Sequence, residues 1–318
     1  MTHITGNKKR ITNLIGISIL IAALPLSQPV SAQEGPGATG ATYLNLPVGS
    51  HSISMGEISS ALPDDPFHWL SNPGAPLKSA GSGIGVFHSQ WAVDTYYDNI
   101  FYRDQLINLV TLGIGLTYMG TPDIQGYNDI GDPTGELKHN SFQTIIGIGF
   151  TPIESVSAGV NFKFFQEKIA DVAARGFGAD IGVMCSLPFP EISVGAVVQN
   201  LGPNVTFLSN EEELPLTYRL GGSYRFPSIT NVIGITIAAE IVRPKHEQTY
   251  GAFGGEVSIR DIFSLRAGFT GEKDRASDGL TVGGGVRVLE RLTIDYAWTP
   301  YGDLGNFHRI SLFYSLGE

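Results

Sequence analysis

Several things are scarce in this chain, and each scarcity removes a class of protein. One cysteine stands among 318 residues, so no intrachain disulfide can form. Cys185 has no partner histidine in a recognisable pattern and reads as a small apolar side chain in a strand. Basic residues number 20 against 30 acidic ones, a formal charge of −10, which argues against a nucleic-acid partner. Charged residues make up only 16%, below the usual share in soluble domains. After residue 32 no apolar run is long enough for a membrane helix. No His-Glu-x-x-His or paired-cysteine metal pattern occurs. Gly283-Gly284-Gly285 lacks the Lys-Ser/Thr of a phosphate loop. His308, Ser311 and Asp303 are close in sequence, but a hydrolytic triad is defined by geometry, not proximity. No catalytic residue, metal or cofactor is expected.

What is present begins with an export signal over residues 1–32. Lys8, Lys9 and Arg10 precede an apolar stretch from Ile11 to Leu24, broken by Pro25 and Pro29. Val30-Ser31-Ala32 offers the small residues of a cleavage site, with Gln33 as the new N-terminus. The apolar stretch is too short and interrupted for a spanning helix of about 20 residues. Without residues 1–32 the chain carries 17 Lys+Arg against 30 Asp+Glu, a charge of −13.

From residue 79 to residue 318 a different rhythm takes over. Fourteen candidate strands fall at 81–90, 94–103, 108–119, 138–150, 155–167, 172–186, 191–199, 213–225, 231–242, 248–260, 263–270, 279–288, 292–299 and 306–316. Ile192, Val194, Ala196 and Val198 alternate with smaller residues, as do Ile233, Ile235, Ile237 and Ala239. One apolar face per strand is the lipid-out, lumen-in pattern of a membrane barrel. Short links at 151–154, 188–191, 227–230 and 260–262 alternate with long ones at 120–137, 200–212, 243–247, 271–278 and 300–305. A β-sandwich would explain alternation within strands but not this long/short order. The expected fold is therefore an all-β transmembrane antiparallel barrel of fourteen strands in a bacterial outer membrane, in contact with its lipid. Both termini are expected in the periplasm. Paired strand glycines, such as Gly113 with Gly115 and Gly147 with Gly149, let a wall curve or make room for large lumenal side chains.

Residues 33–78 form an N-terminal extension of another kind. Residues 33–46 are small and polar and read as loosely held. Residues 47–62 suit a short helix or compact turn. Pro66, Pro73 and Pro76 make a strand improbable there, while Phe67, Trp69 and Leu70 call for burial. This segment is expected to fold back as a plug or cap, with Met55, Gly56, Asp64, Asp65, Trp69, Asn72 and Pro73 as its motif residues. Asn72 supports a turn through its short amide, and Pro73 fixes φ beside it.

Three separated motifs carry a resemblance. Val48-Gly49-Ser50 through Ser54-Met55-Gly56, Ala61-Leu62-Pro63-Asp64-Asp65 and Ser71-Asn72-Pro73-Gly74 resemble an N-terminal signature of the PorV/PorQ-like outer-membrane proteins. Gln199-Asn200-Leu201-Gly202-Pro203 and Leu214-Pro215-Leu216-Thr217-Tyr218-Arg219-Leu220-Gly221 resemble its midpoint. Tyr301-Gly302-Asp303-Leu304-Gly305 and His308-Arg309-Ile310-Ser311-Leu312 resemble its last hairpin. That family is distantly similar to the long-chain fatty-acid transport barrels, which have fourteen strands and an N-terminal plug. The resemblance implies a role beside type IX secretion, binding secreted protein domains or secretion machinery. The chain departs from the shuttle type in lacking a long extracellular excursion, and it ends on Leu316-Gly317-Glu318 rather than an aromatic residue.

Two functions follow as expectations. The first is protein binding for export or surface assembly, with Ile124, Tyr127, Val205, Phe207 and Leu208 as apolar contacts among acidic loop residues. The alternative is a plug-gated channel for hydrophobic or amphipathic small molecules, and a structural barrel is a third reading. Asp129, Asp132 and Glu136 have the oxygen ligands that calcium takes, but they read as a solvated acidic loop.

Overall fold

The computed structural model describes residues 39–75, 81–91, 94–107, 109–122, 124–187, 191–208, 210–227, 232–272 and 279–317. The expected signal segment 1–32 lies outside them. The described residues open with a short 3-10 helix, Thr42–Asn45, and two single-turn helices, α1 (Ser50–Ser54) and α2 (His68–Ser71). Eighteen strands follow among the described residues. They are β1 (Gly83–Gln90), β2 (Tyr96–Ile107), β3 (Val110–Gly120), β4 (Ile124–Tyr127), β5 (Pro133–Leu137), β6 (His139–Ile153), β7 (Val156–Ile169), β8 (Val172–Ser186) and β9 (Ile192–Leu201). The second half adds β10 (Val205–Phe207), β11 (Asn210–Glu212), β12 (Thr217–Phe226), β13 (Ile233–Pro244), β14 (Tyr250–Ile259), β15 (Phe263–Thr270), β16 (Leu280–Val288), β17 (Leu292–Pro300) and β18 (Asn306–Ser315).

Fourteen of these close into one antiparallel barrel, with β1 pairing both β2 and β18. Closure leaves no strand edge and pairs the wall's backbone groups, which is what a sheet needs in lipid. Among the described residues no helix is long and apolar enough to cross a membrane. The wall is inverted relative to a soluble protein. Ile84, Ile100, Ile114, Ile148, Phe162 and Ile237 point outward and are exposed. Arg103, Lys163, Asp180, Glu240, Arg266 and Arg309 point inward and are buried. In β18 the alternation is clean: Ile310, Leu312 and Tyr314 face out, while Arg309, Ser311 and Phe313 face in.

All fourteen expected strands are present, with ends shifted by a few residues. The remaining four strands form two hairpins, β4–β5 and β10–β11, inside links that the sequence left as loops. Long and short links alternate over most of the wall, although the short-end link 227–232 is a residue longer than the long-end link 245–249. The β7–β8 hairpin closes at the long-loop end through Ala170 and Asp171 alone, with Ile169 opposite Val172.

Residues 39–75 run through the lumen. Thr39 bridges to Glu213 in the long link between β9 and β12. The Gly74 carbonyl accepts a hydrogen bond from Ser157 at the start of β7, at the short-turn end. Residues 41–44 are therefore not loosely held: Ala41, Tyr43 and Leu44 are buried against Phe165, Ala174, Val205 and Leu214. The described chain also starts and ends at opposite mouths, since the Leu316 N–H bonds to the Ser82 carbonyl at the short-turn end. This path gives no support to the expectation of both termini on one side; residues 1–38 and 318 lie outside the described residues.

Candidate functional site: the lumenal segment and its wall

Residues 49–75 are fitted to the wall by backbone approach. Gly49 has φ +103°, and Gly56 has φ +82°, conformations that glycine adopts without strain. A Cβ on Gly56 would come within 2.7 Å of the Phe253 and Phe269 carbonyls. The wall supplies glycines in return. Gly254 and Gly268 face Met55, Gly195 faces the Ser60 carbonyl, and Gly159 faces the Pro73 carbonyl. Gly113 and Gly147 make room for Trp69, whose ring lies 2.8 Å from where either Cβ would stand. The large-side-chain reading of those glycines is thus the one the structure realises.

Hydrogen bonds fix the same stretch. The Ser50 N–H donates to Ser311 Oγ at 2.7 Å, and the Gly56 N–H donates to Thr281 Oγ1 at 2.9 Å. Glu240 Oε2 accepts from the Ser59 and Ser60 N–H groups at 3.0 and 2.7 Å. Glu240 Oε1 accepts from Arg219 Nη1 at 2.8 Å, so one buried carboxylate ties β13, β12 and the lumenal segment together. Asn161 Nδ2 donates to the Trp69 carbonyl at 2.9 Å, and Gln199 Nε2 donates to the Ser71 carbonyl at 2.9 Å.

The motif residues fall as follows. Met55 is fully buried beside Ile58 and Leu62. Trp69 packs edge-on to Phe101, with centroids 5.5 Å apart. Asn72 Nδ2 donates to the Ser60 carbonyl at 2.8 Å, while its Oδ1 accepts from Gly74 N–H at 2.9 Å, which is the turn expected before Pro73. Asp64 is exposed and pairs with Arg225 at 2.9 Å. Asp65 is buried, and its Oδ1 accepts from the Phe67 N–H at 2.9 Å. Burial raises its carboxyl pKa; Asp295 adds to the rise, while His51 and Arg266 work against it. Burial also pulls the His68 imidazole down to about 3.

Sequence reading missed the paired charges of the lumen. Lys163 meets Asp180 at 2.8 Å, and Arg266 meets Glu256 and Asp295 at 2.6 Å each. His51 of α1 stands 3.6 Å from Glu256. All but His51 stand at inward positions of strands whose outward neighbours are mostly apolar, and that parity was the available signal.

Residues 39–48 are held differently. The bonds from them to the wall and its links include Gly40 N–H to the Glu213 carbonyl (3.0 Å), Tyr43 Oη to the Phe142 carbonyl (3.3 Å), Asn45 Nδ2 to Thr217 Oγ1 (3.2 Å) and Asn200 Nδ2 to Asn45 Oδ1 (2.7 Å). Beneath this strap lies a cavity of about 30 Å³, with Leu46, Leu70, Tyr97 and Ile145 on its apolar side and Gln143 and Ser59 among its polar lining. It has room for about two waters, against the ~150 Å³ that a benzene ring needs.

The loop residues separate into two groups. Val205 is 2% exposed and packs in the cluster of Tyr43, Phe165 and Leu214, with Phe207 partly buried against it. These two cover the strap, so the expectation that they contact a partner is corrected. Tyr127 and Leu208 are 65% and 81% exposed, with Ile130 at 82%. Ile124 pairs with Leu137 in the β4–β5 ladder, and its side chain lies outside the described residues. Asp129, Asp132 and Glu136 are exposed on this link. Among the described residues no three His, Cys, Asp or Glu side chains converge to hold a metal. Ser311 faces the lumen and bonds to Ser50, whereas His308 faces outward and bonds to Tyr296, so the imagined triad is not assembled.

No protein-family model matches the sequence, and no curated protein does. The resemblance to the PorV/PorQ-like family therefore finds no support there. Solved structures do match. The toluene transporter TodX of Pseudomonas putida superposes with a TM-score of 0.61 at 13% identity, over 86% of this chain and 99% of that one. The toluene transporter TbuX of Ralstonia pickettii gives 0.59 at 12% identity, over 84% and 97%. A FadL homologue of Pseudomonas aeruginosa gives 0.56 at 11%, over 86% and 99%. At such identities the likeness is one of fold: a closed fourteen-stranded barrel of the kind found among hydrocarbon and fatty-acid transport channels.

Proposed function

We propose that this chain is an outer-membrane channel for hydrophobic or amphipathic small molecules, closed by residues 39–75 acting as a plug. The observation that carries the reading is the lumenal segment itself. It fills a closed barrel through non-covalent contacts and leaves an amphipathic cavity too small for a solute. Passage then requires movement of the segment, and the strap 39–48 is the part on which no wall glycine closes. The fold shared with transport barrels supports the same reading.

A crosslink tests it. Asn45 and Thr217 touch side chain to side chain at 3.2 Å. In a Cys185→Ser background, Asn45→Cys with Thr217→Cys should allow uptake of a labelled hydrophobic solute when reduced and block it when oxidised. Equal uptake in both states would refute gating by the strap.

A second reading has one observation of its own. Tyr127, Ile130 and Leu208 stand exposed on two hairpins at the long-loop end, among acidic residues. An apolar tip with a charged rim suits a protein partner. A secreted domain docking there is the form that the PorV/PorQ resemblance would give it.

A further inference from the structure

The outer face of the wall carries its charges unevenly. Among the described barrel strands, the outward-facing lysines and arginines are Lys168, Arg175 and Arg243, all toward the long-loop end. The outward carboxylates are Asp98, which meets His88 at 2.6 Å, and Asp104 at the short-turn end. Lys168 and Arg175 stand together. Arg175 on β8 pairs with Gln166 on β7, and Lys168 lies two residues further along β7, on the same face. Such diagonal neighbours have Cβ atoms about 7–8 Å apart, so two long side chains can converge on one group.

Their surroundings favour an anion at that point. Arg175 donates through Nε to Gln166 Oε1 at 2.7 Å, which lays the guanidinium along the wall and leaves its two terminal nitrogens as donors. Asn140, opposite Lys168 on β6, adds an amide to the same row, and its Oδ1 accepts from Tyr118 at 2.8 Å. Asp171 in the adjoining turn is exposed, and no ion pair joins it to either cation among the described residues.

Height along the wall identifies the solvent. At about 3.3 Å per residue and a tilt of about 40°, Phe164 stands about 20 Å above Val156 at the foot of β7, Gln166 and Arg175 about 25 Å, and Lys168 about 30 Å. The apolar band of a membrane barrel is about 25 Å tall, so the cations sit at its upper rim, at head-group level. Directly below them Phe142, Phe162, Phe164 and Phe177 are exposed on the same face. Cations above a patch of phenylalanine match the two ends of one molecule, a phosphate and its acyl chains.

We propose that Lys168 and Arg175, with Asn140 and the phenylalanines below, form a binding site on the outer wall for an anionic, phosphate-bearing lipid of the leaflet at the long-loop end. The site is independent of what the lumen passes.

The test uses the full chain in non-ionic detergent, with native mass spectrometry reading the affinity of the first bound lipid. Phosphatidylglycerol and phosphatidylcholine with identical acyl chains are the probes, and inorganic phosphate is the competitor. The wild-type chain should prefer phosphatidylglycerol by about tenfold or more. Arg175→Gln should lower that affinity by about fivefold, and Lys168→Gln with Arg175→Gln by about 20-fold, from the contribution of one basic side chain beside anionic lipid. Arg243→Gln makes the same charge change elsewhere on the rim and should leave the affinity within twofold. Heat-dependent gel mobility establishes that each variant is a folded barrel. Equal binding of the two lipids, or an equal loss in Arg175→Gln and Arg243→Gln, overturns the site. Displacement of phosphatidylglycerol by millimolar phosphate overturns the lipid as its occupant.

Discussion

The carboxylate of Glu240 should decide how firmly the lumenal segment docks. Its Oε2 accepts two backbone N–H groups, from Ser59 and Ser60, and its Oε1 accepts from Arg219. All of this is buried. In Glu240→Gln one terminal oxygen becomes a donor. If the new amide nitrogen faces the segment, two backbone N–H groups lose their acceptor, at about 1–3 kcal/mol for each buried group left unsatisfied. If it faces Arg219, a buried cation loses its partner, at about 3–5 kcal/mol. The first arrangement keeps the buried cation paired, and in it docking weakens by about 3 kcal/mol, or on the order of a hundredfold. The wall itself survives, because β13 keeps its ladders to β12 and β14. Hydrogen exchange read by mass spectrometry reports both regions. Amides in 57–62 should exchange about a hundredfold faster in the variant, while those in 235–241 stay protected. Unchanged protection over 57–62 would refute the claim that Glu240 anchors the segment. Equal loss in both regions would show that the residue stabilises the wall instead.

Three further outcomes follow from the same contacts. His68 is neutral when docked, because burial lowers its pKa from 6.5 to about 3, and its Nδ1 accepts from the Leu62 N–H. An undocked segment binds a proton there below about pH 6.5, so docking should loosen by about 1.4 kcal/mol per unit from pH 6.5 down toward 3. Asp65, with its raised pKa, acts in the opposite direction. His68→Gln should therefore abolish or reverse the acid-induced fall in protection over 57–72 between pH 7.5 and 5, with rates corrected for intrinsic exchange at each pH, and a fall as large as in wild type would sink the assignment. Gly254→Val should displace Met55 and cost about 1–3 kcal/mol of docking by overpacking, whereas Gly255→Ala, whose Cβ would meet nothing closer than 3.8 Å, should leave exchange unchanged. Ile130→Asp combined with Leu208→Asp should leave solute uptake intact; loss of uptake would show that the exposed tips belong to the transport path.

Much of the wall was legible because a barrel strand carries its own signal. A period of two and a turn every dozen residues are local features, and they located β6, β7, β8 and β15 within a few residues. The turns at 260–262 and 289–291 were located, but nothing in the sequence marked their conformation. Arg260-Asp261 and Leu289-Glu290 adopt positive φ at both residues, a conformation usually marked by Asn-Gly or Gly-Gly. Here ladder pairing on either side imposes it on residues that do not favour it. β4–β5 and β10–β11 were read as loops for a related reason. YNDIGDPTGE is dense in turn formers, and NEE has no apolar face. The site was less legible than the wall. Glu240 reaches Ser59 across 181 positions, a pairing fixed by barrel closure and by no local pattern. Val205 and Phe207 looked like exposed anchors because hydrophobic loop residues have no periodicity to show which way they point. Val205 is buried and Phe207 partly buried because the strap passes beneath them.

The two parts of the lumenal segment differ in how opening would proceed in the proposed channel. Residues 49–75 approach wall glycines so closely at Gly159, Gly195, Gly254 and Gly268 that any sliding drives backbone into backbone. Their N–H and C=O groups are also spent on wall side chains, among them Glu240, Thr281, Asn161 and Gln199. Breaking several such bonds together, each worth about 1 kcal/mol net or more when it leaves a buried group bare, makes release of this part a rare event. The strap 39–48 meets no comparable glycine cradle beyond Gly40 against Glu212 and Phe207, and the cavity lies directly under it. Lifting the strap exposes Leu46, Leu70 and Ile145 while the lower segment keeps the barrel closed toward the short-turn end. A solute would then enter a site open on one side only. Complete passage would need a second, later movement of residues 49–75, so the Asn45–Thr217 crosslink should block entry, whereas Glu240→Gln should act on exit.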